Sequence, residues 1–276
     1  INLNFLNYKS DDNSMVSLKL DGKFNKNKTL HLENIKFEND SDLISLKNFE
    51  LTNDLKILGL KSAFFNYTDV QNKKNNFQAK QDGEKFIISG KIFNASKLIE
   101  DLIFEDTKNK NIFKKNFSFK IDLDEVYLND EDVVYDLKGK LNFIDNKIIN
   151  ANINAKFEDN EKVSFTSISK NNQKVTTFYS DRAKPFVKKF NFIKGFEKGS
   201  LDFYSVKSKD ISNSKLKIYD FNLKELPALT KILTLASLQG IADLLSGEGI
   251  GFSEFEMSFQ NKDKLMTIDE IYAIGP

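Results

Sequence analysis

Residues 117–128 read FSFKIDLDEVYL, and this short run decides how the rest of the chain is read. Phe117, Phe119, Ile121 and Leu123 fall on one side of a period-two repeat, with Ser118, Lys120, Asp122 and Asp124 on the other. Successive side chains of a strand point to opposite faces, so alternation of this kind describes a sheet with one dry and one wet face. Buried parallel strands would read as unbroken apolar runs instead.

The same scheme recurs at 17–24, 29–37, 43–51, 147–157, 162–169 and 214–221. Short polar joints separate the runs: LDGK, KNKT, ENDSD, KQDGEK, IDNK, EDNEK and KNNQK. Asp-Gly and Asn-rich joints at this spacing are hairpin signals. The expected fold is mainly β: a long antiparallel meander of well over a dozen strands, each paired with its sequence neighbour.

Composition narrows the function. The 276 residues carry 41 basic and 40 acidic side chains, net +1. Arg182 is the only arginine. Arginine's planar fork is the usual reader of phosphates and base edges, so a near-neutral, almost arginine-free chain argues against nucleic-acid binding. The absence of Cys removes thiolate nucleophiles, disulfides and zinc-thiolate sites. The 26 Phe suit strands and apolar surfaces. The chain opens without Met or a signal-peptide pattern and ends within a strand-like run, so it is read as a section of a longer protein.

Three stretches depart from period two. In 94–106, Leu98, Ile99, Leu102 and Ile103 take helical spacing, with Asn94 or Ser96 as N-cap. In 180–196, Phe186, Val187 and Phe190 do the same, with Pro185 in the first turn and Gly195 as the stop. The third, 226–252, is LPALTKILTLASLQGIADLLSGEGIGF. Its length suits a membrane span, but Lys231, Gln239 and Asp243 fall inside it, and each charge costs roughly 2.5–3.5 kcal/mol at the bilayer centre. Gly247, Gly249 and Gly251 follow the apolar run, whereas a dinucleotide loop precedes its helix, and no Gly-Lys-Ser/Thr is present. The segment is therefore read as helix, mainly over 226–246, stopped by glycine. Leu229, Leu233, Leu238, Ile241 and Leu245 would be the plug residues of a helix apolar around most of its circumference.

The run from Asp220 to Phe259, followed by DEIYAIGP, resembles the C-terminal signature of the AsmA-like superfamily, especially its YhdP-type members. The matching positions are Pro227, Leu229, Leu233, Ala236, Ser237, Leu238, Gly240, Asp243, Leu245, Gly247, Gly249, Ile250, Phe252, Gly275 and Pro276. Upstream, 179–205 and 89–102 resemble the family's helix–strand pattern, with Asn94 where Asp is commoner. The resemblance covers residues 80–276, within a chain read as one continuous section over 1–276. It implies an open β-groove, the β-taco, in a protein anchored in the inner membrane of Gram-negative cells. Such a protein reaches across the periplasm and carries phospholipid toward the outer membrane.

The physics points the same way. A sheet must bury its dry face, and the helical residues are too few to cover one of this size. A six-residue strand is about 20 Å long, comparable to an acyl chain. The expected lining, from alternation, is Phe119, Ile121, Leu123, Leu137, Leu141, Phe143, Ile153, Phe165, Leu216 and Ile218. No catalytic residue, metal site or cofactor is expected. His31 has no second His or Cys to join, Asp130–Asp132 lack EF-hand spacing, and Asp122 and Asp124 share their wet face with Lys120. The hydrophilic run 71–76 is a turn, a candidate for touching anionic headgroups. The competing readings are a closed periplasmic β-sandwich, acting as scaffold or outer-membrane assembly factor, and a transmembrane barrel. Lys and Asp on outward faces argue against the barrel.

Overall fold

The computed structural model describes residues 2–3, 6–9, 17–25, 29–97, 116–144, 147–187, 195–224, 249–262 and 265–275. The chain is mainly β and divides into two compact units, Ile1–Ala151 and Asn152–Pro276. The first holds β1 (Asn2–Leu3), β2 (Tyr8–Lys9), β3 (Ser17–Asn25), β4 (Thr29–Glu38), β5 (Leu43–Thr52), β6 (Ile57–Thr68), β7 (Lys74–Asp82), β8 (Lys85–Asn94), β9 (Phe117–Tyr127) and β10 (Val133–Ile144). Strand β11 (Lys147–Lys156) straddles the boundary. The second holds β12 (Lys162–Lys170), β13 (Gln173–Ser180), helix α1 (Lys184–Val187), β14 (Phe196–Ser208), β15 (Ile211–Leu223), β16 (Ile250–Lys262) and β17 (Leu265–Ile274).

Strands β3 to β17 follow one another as hydrogen-bonded neighbours in sequence order, as the alternation predicts. The order is open, because β3 and β17 are not neighbours. The hairpin joints fall where the polar clusters place them. Asn171 and Asn172 both adopt positive φ, 53° and 59°, between β12 and β13. That is the mirror-image turn whose twist matches a hairpin. The LDGK joint is the exception: Asp21–Gly22 is an irregularity inside β3, opposite Leu32 and Asn34 of β4.

One junction corrects the antiparallel meander. Strand β8 pairs with β9 in parallel, Ile88 opposite Ile121 and Gly90 opposite Leu123. Parallel neighbours need a crossover, and the connection over 95–116 is the longest between two strands of the first unit. Residues Ser96 and Lys97 are helical, and the Asn94 side chain caps them by accepting from the Ser96 N–H at 3.1 Å. The remainder of the expected 94–106 helix lies outside the described residues. So does all of 226–246, with Leu229, Leu233, Leu238, Ile241 and Leu245. Of the 180–196 helix, α1 realises four residues, with Pro185 in its first turn, and 188–194 lie outside the described residues.

Alternation is not strict along each strand. In β15 the apolar residues are Leu216 and Ile218, then Phe221 and Leu223, so the phase slips by one at Asp220, which takes φ 51°. Its neighbours slip at the same level. Strand β14 goes from Phe196 to Leu201 and Phe203 across Gly199 (φ 78°), and β16 from Ile250 and Phe252 to Phe255 and Met257. Ile218 and Phe221 nonetheless join one buried cluster, so the slip keeps the apolar residues on one face. The first unit repeats this at Asn48 (φ 46°) in β5, between Leu46 and Phe49, and at Asp136 (φ 53°) in β10, between Val134 and Leu137. Gly, Asn and Asp are the residues that tolerate this backbone.

Candidate functional site: the dry face of the sheet

Strand register builds the dry face row by row. In the first unit one row runs Leu18, Phe37, Ile44, Phe65, Phe77, Gly90, Leu123, Leu137 across β3 to β10. The next runs Leu20, Ile35, Leu46, Ala63, Ala79, Ile88, Ile121, Gly139. Rings stack between facing strands: Phe65 on Phe77 at 4.5 Å and Phe117 on Phe143 at 4.6 Å. Gly90 is required where it stands, because a Cβ there would lie 2.4 Å from the Phe77 Cα.

In the second unit the central row is Phe165, Phe178, Phe203, Leu216, Met257 and Ile271. To one side lies a closed core, in which Ala183 and Val187 of the α1 segment pack with Phe196, Leu201, Ile218, Phe221, Leu223, Ile250 and Phe252. Phe186 meets Phe178 edge-on at 4.6 Å. To the other side the row of Ser167, Thr176, Ser205 and Ser214 continues the same face.

The expected lining residues divide by burial. Leu123 is buried and Ile218 fully so. Phe119, Ile121, Leu137, Leu141, Phe143, Ile153, Phe165 and Leu216 are half-buried. The rows end on residues that are more than half exposed: Leu18 and Leu20 on β3, Met266, Ile268 and Ile271 on β17. A shallow cavity of about 260 Å³ opens beside the first-unit rows, between Ile57, Leu58, Phe86 and Phe117 with Gln81, Glu84 and Asn116. It is smaller than the roughly 300–1,000 Å³ of a typical small-molecule site.

On the wet face of the second unit, charges on β15 and β16 pair across the strands. Glu256 receives Lys215 at 2.5 Å and Lys217 at 2.6 Å, and Lys217 also reaches Glu254 at 3.2 Å. The Tyr272 hydroxyl donates to Glu256 at 3.2 Å. Hydrogen bonds from Lys215 and Lys217 hold the Glu256 carboxyl well below its ordinary range, at about 2. In the first unit His31 lies on the wet face, 3.1 Å from Glu50.

Polar residues at one end of the first unit satisfy one another. Asp69 accepts from the Gln71 and Lys73 N–H groups at 3.0 and 2.9 Å, and from the Asn75 and Asn94 amides at 3.2 and 2.7 Å. Gln71 in turn accepts from Asn94 at 2.8 Å and the Ser96 hydroxyl at 2.7 Å. Gln71 and Asn75 are thus structural, and of the expected 71–76 turn only 71–73 lie between strands, because Lys74, Asn75 and Asn76 open β7. Nearby, Tyr8 packs edge-on against Phe37 and Tyr67 and donates to Asp42 at 2.9 Å. The Asp130–Asp132 turn is closed by Asn129, whose side chain accepts from the Glu131 and Asp132 N–H groups, both at 2.9 Å. No metal-binding cluster of His, Asp or Glu occurs among the described residues. No described helix is long and apolar enough to cross a membrane.

Period-two reading passed over the residues beyond each slip, Phe49, Val126, Val134, Phe221 and Phe252, of which Val126, Val134, Phe221 and Phe252 are buried. Their signal is present in the sequence: two residues instead of one between apolar positions, with Asn, Asp or Gly at or beside the break in most cases. Compared with known proteins, the chain matches no family model, no curated protein and no solved structure.

Proposed function

We propose that this chain is a non-enzymatic lipid-conduit section of an AsmA-like envelope protein. It shelters phospholipid acyl chains on the dry face of its sheet for passage between inner and outer membranes. The parent protein would be anchored in the inner membrane, with this section in the periplasm. One observation carries the reading: in each unit, apolar rows run from strand to strand on a single face, and part of that face (Ile35, Leu46, Ile88 and Ile121 in the first unit, Phe165, Phe178, Phe203 and Leu216 in the second) is only half-buried. Leaving Phe, Ile and Leu in contact with water forgoes about 25 cal/mol per Å² of apolar surface, so such rows call for an apolar occupant. The resemblance of 220–276 to the AsmA-like signature supplies the class of occupant. Conduction needs continuous apolar lining and no reacting group.

The test is lipid mass spectrometry on the purified 276-residue chain and two variants. Retained phospholipid in the intact protein and in Lys120→Ser, with loss in Ile121→Asp, is the expected result. Ile121 is half-buried on the dry face and Lys120 exposed on the wet one. Co-purified protein without lipid would favour the scaffold or assembly-factor reading instead.

A further inference from the structure

The dry face of the second unit is not apolar to its end. Two residues beyond Phe178 and Phe203, register places Thr176 opposite Ser205. Two residues further, it places Lys174 opposite Lys207, still on the same face. Ser169 and Ser212 flank the lysines in that row. The order along the strands is thus aromatic, hydroxyl, ammonium.

Like charges directly opposite on neighbouring strands sit about 5 Å apart at Cβ and destabilise a sheet. Neither lysine forms an ion pair among the described residues, whereas Lys215 and Lys217 on the wet face are both taken by glutamates. Burial, and then the charge of Lys207, hold Lys174 below its ordinary value. The hydroxyl row lies two residues inside the lysine row, about 7 Å along a strand. The interfacial layer of a bilayer leaflet is of similar depth, roughly 5–8 Å.

We propose that Lys174 and Lys207 bind the anionic phosphate headgroup of a lipid whose ester region lies on Thr176 and Ser205 and whose tails lie on the Phe178–Phe203 row. This rests on the lipid reading above and deepens it: the site selects anionic over uncharged lipids and fixes which way the molecule points. The closed core around Ile218 lies on the far side of the aromatic row, so the headgroup has one polar end to occupy.

Binding of a fluorescent-acyl phosphatidylglycerol and of a diacylglycerol with the same chains tests it on the full 276-residue chain. The intact protein is expected to favour phosphatidylglycerol by about thirty-fold, the effect of two lysines at an anionic lipid. Lys174→Gln with Lys207→Gln brings the preference to within about threefold and leaves diacylglycerol binding unchanged. Lys120→Gln with Lys140→Gln is the control, since those lysines face each other on the wet side and remove the same charge. That pair is expected to keep the preference. Inorganic phosphate at millimolar concentration is expected not to displace the lipid, and displacement by it would make the site one for free phosphate. Equal binding of the two lipids, or a preference surviving the Lys174/Lys207 change, overturns the headgroup site alone. Binding of neither lipid overturns the conduit reading with it.

Discussion

The two units build their dry faces by the same rule and finish them differently. In the first, the polar residues near the strand ends satisfy one another, with the Asp69 carboxylate taking four donors and Tyr8 capping Phe37 and Tyr67. In the second, one end is a closed apolar core under α1 and the other carries two lysines that form no ion pair among the described residues. The contrast separates polar groups that hold a fold from polar groups left for a ligand. A buried amide or carboxylate with every bond made is structural. Two facing lysines on the dry face beside an aromatic row, with no ion pair among the described residues, are left available to a ligand.

The largest effect expected from that comparison is in the closed core. Ile218→Ala removes a fully buried side chain and should lower unfolding free energy by about 2–5 kcal/mol in urea titration. Ile121→Ala, on a half-buried row, should cost well under half of that. Equal losses would mean that the two faces are equally sealed. Next comes the Asp69 knot, where Asp69→Ala strands donors of Gln71, Lys73, Asn75 and Asn94. A loss of about 2–4 kcal/mol is expected. In contrast, Lys174→Gln with Lys207→Gln should leave stability unchanged or raise it, because like charges are removed. A large loss there would assign the lysines to the fold.

Gly90→Val tests the packing of the first-unit row and should cost roughly 1–3 kcal/mol, since its Cβ meets the Phe77 backbone. The smallest effect concerns the wet face. Glu256 titrates at about 2 when folded, against an ordinary 4.5. A depressed carboxyl contributes stability that is present above pH 4.5 and is lost as pH falls toward 2. Thermal unfolding of Glu256→Gln should therefore depend less steeply on pH between 4.5 and 2 than that of the parent chain. Parallel curves would show that the Lys215–Glu256–Lys217 ladder contributes nothing.

Much of this was legible in the sequence, because period two is a local property. The runs at 29–37, 43–51, 117–128 and 162–169 are strands to within a residue or so at each end. Register places the apolar residues Phe119, Ile121, Leu123, Leu137, Phe165, Leu216 and Ile218 in cross-strand rows with other apolar side chains. Strand direction was legible except at β8–β9, where a parallel pair with one face open to water alternates just as its antiparallel neighbours do. Only the long 95–116 connection distinguishes β8–β9. The phase slips were legible and were passed over, because a polar pair such as Tyr219–Asp220 reads as an ordinary wet-face step. Lys174 and Lys207 escaped for a related reason: a lysine was assigned to the wet face by type. Counting in twos from Phe178 and from Phe203 places both on the dry one.

Phe203 and Tyr204 are adjacent, one half-buried on the dry face and the other half exposed on the wet face. A photo-crosslinking amino acid placed at 203 or at 204, irradiated with radiolabelled phospholipid, asks most directly whether the dry face carries lipid. The account predicts a lipid adduct from position 203 and none from 204. Adducts of equal yield at both positions, or protein adducts alone at 203, would contradict it.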